Sequence, residues 1–124
     1  MTKDKIMKFP EYFPEGCPPQ NAEPESIEAY RLCKTESITR VDFYSFYELG
    51  KNIKGNINGY GVSVIGNYGE ASTLSKMPTH KKEYLACGVT DPDCGVVLRT
   101  PSRNLSSHIT WWLYEDATPE KYFK

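Results

Sequence analysis

Between Thr100 and Tyr114 the chain collects the hydroxyls of Ser102, Ser106, Ser107 and Thr110, the guanidinium of Arg103, the imidazole of His108 and the indoles of Trp111 and Trp112. Read as a strand from His108 to Tyr114, the side chains alternate between two faces. Ile109, Trp111 and Leu113 fall on one face and read as core. His108, Thr110, Trp112 and Tyr114 fall on the other, as an aromatic surface that carries hydrogen-bonding groups. A nucleoside-sized ligand or a protein partner suits such a face. Trp112 would stack on a ring, Thr110 would hydrogen-bond, and His108, with a reference pKa of about 6.5, would bond or move a proton. The same residues also read without a ligand: His108 as a hydrogen-bonded structural histidine, and Trp112 as core if a neighbouring element covers that face. Glu115 follows as the adjacent acid.

Two further polar residues sit where apolar ones are expected. Arg31 shares a strand face with Ile27, Ala29 and Cys33, and Ser63 shares one with Gly61 and Ile65. A charge on an apolar face needs a partner or a ligand. Arg31 either makes a bidentate contact with a phosphate or carboxylate, or pairs internally with an acid such as Asp42 or Glu48. A hydrolase built on Ser107, His108 and Asp116 is disfavoured, because Ser107 and His108 point to opposite sides of a strand and no Gly-x-Ser-x-Gly elbow occurs. Walker and Gly-x-Gly-x-x-Gly loops are absent from the sequence.

The elements that must position these groups follow from periodicity and punctuation. Residues 1–26 hold five of the nine prolines and read as an extended lead-in whose aromatics pack along the body. Residues 27–124 read as a single α+β domain. Strands are expected at 27–34, 60–65, 83–89, 95–100 and 108–114. The clearest helix is expected at 39–49, with Thr39 as cap, Asp42 at N3, a core stripe of Phe43, Phe46 and Tyr47, and Gly50 as stop. Residues 51–59 read as a Gly/Asn-rich loop. Asn67 with Glu70 starts a second, short helix closed by Pro78. Pro101–Ser107 forms a hairpin loop, and the Thr118–Phe123 segment makes one helical turn whose aromatics dock back. The order β-α-β-α-β-β-β implies a mixed sheet of about five strands with two helices.

Composition narrows the function classes. A net charge of −1 with 25% charged residues argues against a nucleic-acid binder that relies on a basic surface. No apolar run approaches the roughly 20 residues of a membrane span, and the first residues lack a signal peptide's apolar stretch. A cytoplasmic protein with reduced Cys17, Cys33, Cys87 and Cys94 is the expectation. No metal site is expected, since Cys-x-x-Cys is absent and the seven-residue spacing of His80, Cys87 and Cys94 is not that of a zinc knuckle.

Arg31 in Tyr-Arg-Leu, Ser63 in Gly-Val-Ser-Val and the Glu70-Ala71 helix after it resemble ADP-ribosyltransferase-like proteins over residues 27–77. The resemblance implies NAD as cofactor or nucleotide ligand, held by Arg31 with Ser63 shaping the nicotinamide pocket, and a late glutamate that drives transfer. Glu115 is the candidate acid, with His108 as the alternative on the corresponding strand. Phe13-Pro14-Glu15-Gly16-Cys17-Pro18-Pro19, Thr100-Pro101-Ser102-Arg103 and Ser107-His108-Ile109-Thr110-Trp111-Trp112 also resemble a group of short bacterial proteins, a likeness that implies no activity. Two functions are therefore expected: an NAD- or nucleotide-binding domain with His108 and Glu115 as catalytic groups and Arg31, Ser63, Thr110 and Trp112 as ligand contacts, or a non-catalytic protein-binding or regulatory module of a toxin–antitoxin or phage-defence type operon.

Overall fold

Five strands form one sheet in the computed structural model, which describes residues 7–124. They are β1 (Glu28–Cys33), β2 (Val62–Ile65), β3 (Tyr84–Val89), β4 (Gly95–Arg99) and β5 (His108–Leu113). The order across the sheet is β3-β1-β2-β5-β4, and every pairing is antiparallel. The expected mixed sheet is thus corrected to an antiparallel one. The one α-helix among the described residues, α1 (Tyr68–Ser75), carries the chain from β2 to β3 and packs on β1, β2 and β3. The two strands it joins run the same way, and β1 lies between them running the other way. Asn67 caps α1 as expected, accepting the Glu70 N–H at 2.9 Å.

The helix expected at 39–49 does not form. One 3₁₀ turn, Arg40–Phe43, is followed by turns through residues 46–50. In an α-helix the Asp42 carbonyl would accept from the N–H four residues on. Here the Arg31 Nε–H takes that carbonyl at 2.6 Å. Ser45 and Glu48 then satisfy each other locally: the Ser45 N–H donates to Glu48 Oε1 at 2.9 Å, and the Glu48 N–H to Ser45 Oγ at 3.1 Å. With the helical register lost, the expected core stripe splits. Phe43 is fully buried, while Phe46 is 55% and Tyr47 40% exposed.

The main core lies on one sheet face, where Ala29, Val62, Val64, Ala86, Val97, Ile109, Trp111 and Leu113 pack beneath Phe43, Ala117 and Phe123. The 3₁₀ turns Arg40–Phe43 and Pro119–Tyr122 touch there, and Phe43 and Phe123 have ring centroids 5.0 Å apart. On the opposite face the expected open aromatic surface is closed. Thr110 and Trp112 are both buried, and the Trp112 Nε1–H donates to the Ile57 carbonyl at 3.0 Å. Cys17, from the lead-in, reaches the same carbonyl.

The lead-in is not one extended stretch. It makes three tight turns, with N–H donors of Phe13, Cys17 and Ala22 bonded to the carbonyls of Pro10, Pro14 and Pro19. Gly16, at φ 82°, occupies the left-handed position of the second turn. Glu23 then pairs with Val97 along the outer side of β4, and Phe123 pairs with Gly88 along the outer side of β3. Both sheet edges are thereby partly covered. No helix among the described residues is long and apolar enough to cross a membrane.

Candidate functional site

Arg31 lies on the core side of β1, half-buried, and two of its guanidinium donors go to backbone. Nε donates to the Asp42 carbonyl and Nη1 to the Ser63 carbonyl, each at 2.6 Å, with the ring of Phe43 beneath at 5.6 Å. The geometric reason is local. β1 and β2 pair only at Tyr30 and Ile65, and Arg31 bridges the stretch where the two strands diverge. Burial lowers its pKa, with the nearby Cys33 and Asp42 opposing that shift. Its internal partner is the Asp42 main chain; the Asp42 carboxylate instead accepts the N–H groups of Lys34 and Thr39.

Ser63 contributes a backbone carbonyl to this arrangement, while its exposed side chain projects from the other sheet face, opposite Thr110 in register. Thr110 and His108 belong to a hydrogen-bonded chain on that face: Thr100 Oγ1 lies 2.8 Å from Thr110 Oγ1 and 2.9 Å from His108 Nδ1. His108 Nδ1 also lies 3.1 Å from the Thr100 carbonyl. Burial lowers the His108 pKa, and the Thr100 carbonyl partly offsets this. His108 opens β5, whereas Glu115 lies beyond the other end of that strand. The two expected catalytic groups therefore stand apart, and Trp112, fully buried, presents no stacking surface.

Glu70 joins α1 to the β4–β5 hairpin. Its Oε2 accepts from the N–H of Ser106 (3.2 Å) and from Ser106 Oγ (2.5 Å), and its Oε1 from the N–H of Ser107 (2.9 Å) and from Ser107 Oγ (2.5 Å). These bonds pull its pKa down to about 2. The hydroxyls that the sequence offers as site groups hold the loop in place.

A cleft of about 260 Å³ opens where Glu115 lies, lined by residues 10–13, Arg40, Glu48, Tyr60, Val62 and 113–115. Six rings run along it in a chain of contacts. Tyr114 meets Phe9 at 4.8 Å, Phe9 meets Phe13 at 5.6 Å, and Phe13 meets Tyr60 at 5.7 Å. Tyr47 joins the end of the chain, 4.7 Å from Tyr12 and 4.8 Å from Tyr60. Burial, and then Glu48, push the Tyr12 phenol up to about 12. Glu115 pairs with Lys8 at 3.8 Å and Glu48 with Arg40 at 3.7 Å. Val41, Phe46, Tyr47 and Leu49 are all exposed, in the same short segment that supplies Arg40 and Glu48.

Of the six residues expected at a site, Glu115 alone lines this cleft. Part of the remaining cleft lining was signalled by Phe9-Pro10-Glu11-Tyr12-Phe13-Pro14, whose aromatics and prolines mark a segment built to lie against something. The chain matches no protein-family model, no curated protein and no solved structure.

Proposed function

We propose that this chain is a non-catalytic protein-binding module whose partner docks along the aromatic cleft and the 41–49 segment. The observation that carries the reading is the exposure of Val41, Phe46, Tyr47 and Leu49 beside the stacked rings of Tyr12 and Tyr60. Aromatic and aliphatic side chains held outward at fixed positions are the kind of anchor on which interfaces concentrate their energy. Tyr12, Tyr47 and Tyr60 already pack against one another, so a partner need not order them, which lowers the entropic cost of association.

The alternative, an NAD or nucleotide site of ADP-ribosyltransferase type, has a specific cost here. Two of the five N–H donors of Arg31 are held by main-chain carbonyls, so a phosphate would have only the remaining three to meet. The experiment compares the wild-type chain with a Phe46→Ser, Leu49→Ser variant as bait in extracts of the source cells, then measures the purified partner against both. A partner bound by wild type and lost by the equally stable variant is the expected result. A saturable thermal shift with NAD or ADP-ribose that Arg31→Lys abolishes would instead establish the nucleotide site.

A further inference from the structure

We infer that the cleft receives a cationic side chain, a lysine or arginine, that the partner presents beside an apolar anchor; this rests on the binding-module reading. Charge complementarity is the first support. Glu11, Glu48 and Glu115 line the cleft against one cation, Arg40. Arg40 is already engaged, with Nη1 donating to the Phe43 carbonyl at 2.9 Å and the guanidinium resting over the Tyr44 ring. Counting Lys8, three carboxylates face two cations, and the two ion pairs, at 3.8 and 3.7 Å, are long beside the roughly 2.7–2.9 Å of a tight charged hydrogen bond. Glu11 is exposed and makes no ion pair among the described residues.

The walls are the second support. Tyr12, Phe13, Tyr60 and Tyr114 line the cleft, and aromatic faces attract a cation within about 6 Å of the ring centre. The exposed Phe46 already carries Lys51 at 5.4 Å, whereas among the described residues no cation rests over a ring that lines the cleft. Size is the third. A cleft of about 260 Å³ is smaller than the ~300–1,000 Å³ of typical small-molecule sites, and it suits one long side chain. A phosphate or carboxylate placed there would face like charge from Glu11, Glu48 and Glu115.

The test uses the full chain labelled with ¹⁵N and titrated with n-butylguanidinium, n-butylammonium, butyrate and 1-butanol, following the amides of Tyr12, Tyr60 and Tyr114. Both cations are expected to shift these signals saturably, with butyrate inert and butanol much weaker. A Glu11→Gln, Glu115→Gln variant with an unchanged melting curve should bind the cations about tenfold more weakly, a difference of about 1.4 kcal/mol. Equal shifts from butanol, shifts from butyrate, or no cation response at tens of millimolar would each overturn the inference. If the cations fail while Phe46→Ser, Leu49→Ser still abolishes partner binding, the cation site falls and the module reading stands. If the cations bind but that variant keeps its partner, the cation chemistry stands and the docking surface lies elsewhere.

Discussion

The Glu70 carboxylate, with four donors from Ser106 and Ser107, has a pKa drawn from 4.5 to about 2. Because the folded value lies below the unfolded one, the stability it contributes is complete above about pH 4.5 and is lost as pH falls through about 2. Glu70→Gln should flatten the acid limb of the stability curve across that window and loosen the 100–107 loop, measured by urea unfolding at a series of pH values. A limb that is unchanged in the variant would mean that other carboxylates set acid stability. Arg31 makes a different prediction. Its two bonds to carbonyls involve a charged donor, and such bonds are each worth about 1.5–3 kcal/mol. Arg31→Ala should therefore destabilise by about 3 kcal/mol, and Arg31→Lys, which keeps one bond at best, by about half of that. Thermal melts decide it; a loss of less than about 0.5 kcal/mol for Arg31→Ala, the usual effect of a surface change, would show that the strands hold without the bridge.

The lead-in behaves as a structural element although it has neither helix nor strand. Residues 10–13 form one wall of the cleft, Glu23 pairs with β4, and Cys17 sits with Trp112 at the Ile57 carbonyl. Removing residues 1–26 should uncover Trp112 and the outer side of β4. The expected readouts are a red shift in tryptophan fluorescence and a loss of cation shifts at Tyr60 and Tyr114. An unshifted emission maximum would show that the 57–60 turn alone seals the indole.

Edge covering governs how the sheet as a whole meets other molecules. An open β3 or β4 would offer unpaired backbone groups to any passing strand. On the β3 side the 119–124 segment prevents this: the Cys87 and Lys124 N–H groups each donate to the other residue's carbonyl at 2.9 Å. The approach is so close that a Cβ at Gly88 would lie 2.1 Å from the Tyr122 carbonyl oxygen. Gly88→Val should therefore detach the segment, speed hydrogen exchange at the Cys87 amide and promote self-association, read by light scattering. A variant that stays monomeric with a protected Cys87 amide would place the edge protection elsewhere.

The strands could be read from local pattern, because alternation along a pleated backbone needs no information from elsewhere: the run expected at 108–114 is β5, His108–Leu113. The Asn67 cap of α1 was legible for the same reason, since cap and capped N–H lie three residues apart. The helix expected at 39–49 gave way to bonds of two kinds: Ser45 and Glu48 satisfy each other within the segment, and Arg31, eleven residues before Asp42, bonds the Asp42 carbonyl from outside it. Without the helix Phe46 and Tyr47 face outward, while closure at Ile57 turned the supposed binding face of Trp112 into interior. The cleft was equally out of reach, because its lining comes from four separated stretches, near residues 10, 40, 60 and 114. A sequence period shows which side chains share a face, but whether that face meets solvent, and which donor takes a given carbonyl, depends on segments that become neighbours only when the sheet assembles.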